Sequence, residues 1–138
     1  GIGIELDGLV PKKLYQNTVY QDPIISANHY ATLLKQKEKC DLVVCISHLG
    51  FKYKSNKLSD MVLASQTRDI DLIIGGHTHT FLKKPAKQLN LDGKQVLINQ
   101  VGWAGINIGK IDFYFNQIDG DKKVFGRSIF VKNSLKRA

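Results

Sequence analysis

Two short apolar runs, Asp41-Leu42-Val43-Val44-Cys45-Ile46 and Asp71-Leu72-Ile73-Ile74, constrain this chain more than any other feature. Both are too short for independent helices and lack the polar alternation of a half-solvated strand. Each therefore reads as a strand buried on both faces. Asp22-Pro23 announces a helix ahead of the first run, with Asp as N-cap and Pro at the first helical position. That helix is predicted over Pro23 to Lys39, with Ile24, Ala27, Ala31, Leu34 and Ile25 on its inner face. Between the runs, Ser59 can cap a short helix ending near Gln66. Helix, strand, loop, helix, strand is the rhythm of an α/β unit with parallel strands.

The remainder of the chain follows a different pattern. Gly1 to Leu6 looks like a strand already under way, followed by a loop at Pro11-Lys12-Lys13. Lys87 to Asn90 and Gln95 to Ile98 flank Leu91-Asp92-Gly93-Lys94, a hairpin signal. Ile106 to Phe115 and Lys123 to Val131 are expected to pair around Asp119-Gly120, which makes the C-terminal third antiparallel. The fold class is thus α/β with mixed sheets, and residues 1–138 are expected to form a single unit. With 43% hydrophobic and 23% charged residues, 138 residues suffice for a real core. The only methionine is Met61, so the chain is expected to be a processed product or part of something longer.

A formal net charge of +8, from 20 Lys and Arg against 12 Asp and Glu, invites anionic partners. The lysines are scattered, however, with no basic stripe interleaved with aromatics, so solvated faces explain them better than a nucleic-acid surface. No apolar stretch is long enough to span a membrane. Cys40 and Cys45 match no zinc or redox spacing, and Cys45 is expected to be a small buried hydrophobe.

The four histidines are distributed unevenly. His29 lies mid-helix and is expected to be exposed or partly packed. His48 directly follows the first apolar run, in Ser47-His48-Leu49-Gly50. His77 and His79 directly follow the second, in Gly75-Gly76-His77-Thr78-His79-Thr80. Ligands of open α/β sheets collect at the carboxyl ends of the strands, so neighbouring parallel strands would bring all three histidines to one edge. If the second loop is extended, His77 and His79 project to the same side, roughly 6–7 Å apart. That spacing lets both serve one metal, or two metals about 3.5–4 Å apart. The glycines before His77 are expected to let the backbone turn sharply towards an ion.

These two motifs, with Asp71 to Ile74 leading into the second, resemble the last two metal motifs of calcineurin-like binuclear metallophosphoesterases. Asp22-Pro23 opening the helix and Asn99-Gln100-Val101-Gly102-Trp103-Ala104-Gly105 after the hairpin are most similar to the 5′-nucleotidase branch. The resemblance implies a four-layer α/β/β/α sandwich of which this chain is the C-terminal half. It implies a phosphomonoester or nucleotide substrate, two divalent ions such as zinc, manganese or iron, and a periplasmic or extracellular setting. By motif, His48 and His77 would share one ion and His79 would bind its neighbour. Gln100 and Gly102 would lie on a substrate-binding loop, although a simple turn between strands explains that segment equally well. Asp41 and Asp71 are expected to be loop or capping residues.

The family's upstream motifs are absent: no Asp-x-His occurs, nor the Gly-Asp and Gly-Asn-His segments carrying the bridging carboxylate and catalytic histidine. No other acid sits beside a histidine in sequence. Two divalent ions bring about four positive charges, which three neutral imidazoles do not offset. The expectation is therefore a phosphoester hydrolase of which this chain holds the closing half of the metal site, completed by a missing N-terminal half. Two alternatives stay open at this point. One is a self-sufficient mononuclear zinc site on three histidines; the other is a non-catalytic interaction or nucleic-acid module.

Overall fold

A computed structural model describes residues 1–116 and 122–131 of the chain. After a one-turn helix α1 (Lys12–Tyr15) comes α2 (Pro23–Thr32), which continues into a π-helical turn over Leu33–Lys37. Then follow β1 (Val44–Ile46), α3 (Asp60–Ser65), β2 (Leu72–Ile74), β3 (Ala86–Leu89), β4 (Gln95–Asn99), β5 (Asn107–Phe115) and β6 (Lys122–Phe130). The α1 turn replaces the loop expected at Pro11-Lys12-Lys13. The strand expected at Gly1 to Leu6 reduces to a parallel bridge of Ile2 with Ser47, alongside β1.

Both main helices start where side chains satisfy their free N–H groups. The Asp22 carboxylate accepts from the N–H of Ile24 at 2.8 Å and of Ile25 at 2.9 Å. Ser59 Oγ accepts from Val62 N–H at 3.3 Å. Ala27 and Ala31 are buried, and Ile24 and Leu34 pack against the core beside them. Ile25 is 71% exposed, contrary to expectation. At 100° per residue it falls outside the stripe defined by positions 24, 27, 31 and 34. Asn28 ties α2 to the chain entering β2, donating to Gln66 O and accepting from Arg68 N–H.

The four-stranded sheet has the order β1-β2-β4-β3. β2 pairs in parallel with both β1 and β4, and β3 closes the edge antiparallel to β4 as the hairpin signal predicted. Cys45, Ile73 and Ile98 share a register row on the helix-covered face. They form one core with Leu63, Ala64 and Val96, most of it at 0% exposure. Burial pushes the Cys45 thiol up to about 11, in keeping with its role as a small hydrophobe.

β5 and β6 form a separate antiparallel hairpin; its turn, including Asp119-Gly120, lies outside the described residues. The hairpin is held to the strand connections by Ser128, whose N–H donates to Lys83 O at 3.1 Å and whose hydroxyl donates to Leu82 O. On the sheet face away from the helices, Leu72 and Leu97 are 4% exposed, whereas Val44, Ile46 and Ile74 are 39%, 66% and 46% exposed. The expectation that β1 and β2 are buried on both faces therefore holds on the helix side and, on the other face, only at Leu72. Among the described residues, no helix is long and apolar enough to cross a membrane.

Candidate metal centre

The sheet ladder delivers the histidine loops to one edge. Ser47 N–H donates to Ile74 O at 2.8 Å and Gly75 N–H donates to Asn99 O at 2.9 Å, so both loops leave their strands in register. His48 N–H donates to Ile2 O at 2.9 Å, fixing that residue against the N-terminal segment. The rings of His48 and His77 meet edge to face with centroids 5.2 Å apart. The His79 ring stacks nearly parallel to Trp103, 6.1 Å between centroids and 15° between planes. His48 also lines an open cleft of about 700 Å³ bordered by Ile2, Val19, Tyr20 and Tyr30. His29 is exposed on α2 and takes no part.

The Gly75 to Thr80 loop is not extended. His77 and His79 have φ of 70° and 51°, the left-handed region, which replaces the projection to one side expected from strand geometry. The turn is thus made by the histidines and not by the glycines. The glycines are needed for close approach instead. A Cβ on Gly75 would collide with the Asp60 carboxylate, and one on Gly76 would stand 3.1 Å from His48 Nδ1.

Asp60 is the acid that sequence order concealed. It is the first residue of α3, 0% exposed, and its Oδ1 accepts from Ser47 Oγ at 2.5 Å directly before His48. Its Oδ2 has no hydrogen-bond partner among the described residues. Burial pushes its carboxyl up to about 6, against the opposing pull of the Ser47 hydroxyl and of His48. The expectation that no acid stands near a histidine holds along the chain but not in space. His77 is held below the usual imidazole range, first by burial and then by the neighbouring His48, Lys57 and His79.

Gln100 is 1% exposed, with its amide turned under the histidine loop. A substrate-contacting role does not suit a side chain enclosed in this way. Gly102 has φ of 79°, and a Cβ there would strike the Phe81 ring, so this glycine is required by the turn itself. Asp71 sits at the far end of β2, bound to Lys35, Lys122 and Val43 N–H. Asp41 is exposed in the connection ahead of β1, its carbonyl accepting from Lys35 and Lys122.

A structural or catalytic metal needs three or four donors converging on one point. Among the described residues no group of three or more His, Cys, Asp or Glu does so. His48 and His77 supply two neighbouring imidazoles, while Asp60 Oδ1 is bound to Ser47 and the His79 ring stacks with Trp103, which leaves its nitrogens open.

No family model matches the chain. It is 30% identical over 131 residues to an apyrase of Tabanus yao, an alignment covering 84% of this chain and 23% of that protein. It is 26% identical over 102 residues to the trifunctional nucleotide phosphoesterase protein YfkN of Bacillus subtilis (strain 168), covering 74% and 6% respectively. The chain therefore spans less than a quarter of the length of these relatives. Among solved structures, the 5′-nucleotidase precursor of Thermus thermophilus superposes with a TM-score of 0.69 at 26% identity, over 81% of this chain and 23% of that one. In sequence and in fold, the chain matches the 5′-nucleotidase-like branch of the metallophosphoesterases.

Proposed function

We propose that this chain is the C-terminal half of a metallophosphoesterase domain that hydrolyses phosphomonoesters, nucleotides foremost, outside the cytoplasm. The observation that carries the proposal is the contact of His48 and His77, 5.2 Å apart at the carboxyl ends of two adjacent parallel strands. Two neutral imidazoles in that relation form part of a divalent-ion site, with His79 available to a neighbouring ion. The carboxylates that would balance the ions' charge belong to the other half of the domain. The uncovered row of Val44, Ile46 and Ile74 is where that half would pack, as the second sheet of a four-layer sandwich. The cleft beside His48 would then lie between the halves.

The test is phosphate release. The 138-residue chain alone, supplied with Zn²⁺ or Mn²⁺, is expected to release none from nucleoside monophosphates or p-nitrophenyl phosphate; rapid release would overturn the half-site assignment. In a protein carrying the complementary half, His48→Ala and His77→Ala are each expected to abolish turnover. Unchanged turnover in either variant would remove the histidine pair from the site.

A further inference from the structure

Gln100 immediately follows β4, yet its side chain belongs to the histidine loop. Its Nε2 donates to Gly76 O at 2.6 Å, and its Oε1 accepts from Thr80 N–H at 2.5 Å and from Thr78 Oγ1 at 3.0 Å. The two backbone groups it holds lie immediately before His77 and immediately after His79. Between them run two non-glycine residues in left-handed conformation, which persist only where their surroundings over-determine them. Gln suits this task because one planar amide presents a donor and an acceptor at a fixed separation. Enclosure of the side chain at 1% exposure excludes water as a competing partner. The clasp also reaches the other histidine loop, since Thr78 Oγ1 accepts from Phe51 N–H at 2.9 Å, three residues beyond His48.

We propose that Gln100 is a positioning residue of this site, its amide setting the backbone and hence the ring placement of His77 and His79 against His48. The consequence for catalysis rests on the metal-ligand role proposed for those histidines; the clasp itself does not.

The full 138-residue chain without metal provides the test, by ¹⁵N and ¹³C NMR of the histidine loop and by fluorescence of Trp103. Trp103 is the chain's one tryptophan and lies stacked on His79. Gln100→Glu retains the shape and the acceptor towards Thr80 N–H but loses the donor towards Gly76 O. It is expected to shift the Gly76 and His77 resonances while leaving Thr80 close to its original position. Gln100→Ala loses both ends and is expected to move His77, Thr78 and His79 together, with a change in Trp103 emission. Should Gln100→Ala fail to fold, the near-isosteric Glu variant carries the test alone. Unmoved His77 and His79 signals in the Glu variant, or shifts spread evenly over β1, β2 and β4, would overturn the proposal. No metal enters this measurement, so its failure would leave the phosphate-release experiment to judge the ligand role independently.

Discussion

At the amino end of β2, Asp71 accepts from Lys35 at 2.9 Å, from Lys122 at 2.6 Å and from Val43 N–H at 2.8 Å. At the carboxyl end, Asp60 accepts only the Ser47 hydroxyl, and its second oxygen is unmatched among the described residues. Both carboxylates are desolvated. The hydrogen bonds from Lys122, Lys35 and Val43 N–H, with the charge of Lys122, overcome that at Asp71 and hold its carboxyl below the usual range, whereas burial prevails at Asp60 and raises it to about 6. Left-handed backbone occurs at both ends, at His77, His79 and Ala104 on the loops at the carboxyl end and at Lys39 and Asp69 in the connections at the amino end. The carboxylate at one end of the sheet is fully partnered and the one at the other end is not. Functional sites of α/β proteins collect at the carboxyl ends of strands, where such an incompletely partnered group is tolerated for the sake of chemistry.

Substitutions can break or sharpen this contrast. The largest effect belongs to the core that joins the ends. Ile73→Ala, at 0% exposure, should cost about 2–5 kcal/mol in urea unfolding. If it cost much less, the two ends would not share one core. Asp60→Asn keeps an acceptor for Ser47 and removes a buried charge, so at pH 7.5 it should stabilise the chain by on the order of 2 kcal/mol. A loss of stability instead would show that the charged form is accommodated by the fold. Asp71→Ala should act oppositely, costing about 1–2 kcal/mol by orphaning Val43 N–H and separating two lysines from their acceptor.

Titration should separate the ends as well. Asp60 has a raised folded value, so the fold binds the proton more tightly than the unfolded chain does. Its stabilising contribution is complete below pH 3.8 and is lost as pH rises to about 6. Asp71 has a lowered value, so its contribution is present above pH 3.8 and is lost as pH falls through its folded value. Unfolding midpoints collected from about pH 3 to 8 should lose their decline between about pH 4 and 6 in Asp60→Asn and keep it in Asp71→Ala. The smallest effect is expected from Ile46→Ser on the open sheet face, within about 0.5 kcal/mol for this chain alone. A larger cost would mean that the chain covers that face by self-association.

Much of the fold could be read from local signals. Asp22-Pro23 and Ser59 start helices because capping depends on a residue's own side chain and the next few N–H groups. The Leu91 to Lys94 turn closes a hairpin for equally local reasons, with Asn90 Oδ1 accepting from the N–H of Asp92 and Lys94. The open face of β1 was illegible, because an apolar run records that its side chains need cover and not whether that cover lies within the same chain. Ile25 was misplaced because an apolar residue one position off a helical stripe looks the same in sequence as one on it.

The site divides along the same line. Sequence spacing brought His48 and His77 to one edge, since parallel strands of similar length end at similar heights. It did not place Asp60, a first-turn acid after a helix cap, where the macrodipole alone gives a sufficient reason for an acid. Nor did it anticipate that Gln100 would reach across to Gly76 and Thr80 from the next strand.

The sequence by itself determined where the sheet strands β1 to β4 and the helix caps lie and that the histidines follow the strands; these depend on chain-local geometry and apolar pattern. Only the tertiary structure decided that His77 and His79 turn left-handed, that Gly75 and Gly76 make room for Asp60 and His48, and that His79 stacks on Trp103. Those outcomes come from contacts between segments far apart along the chain, whose geometry exists only once β1, β2 and β4 are side by side.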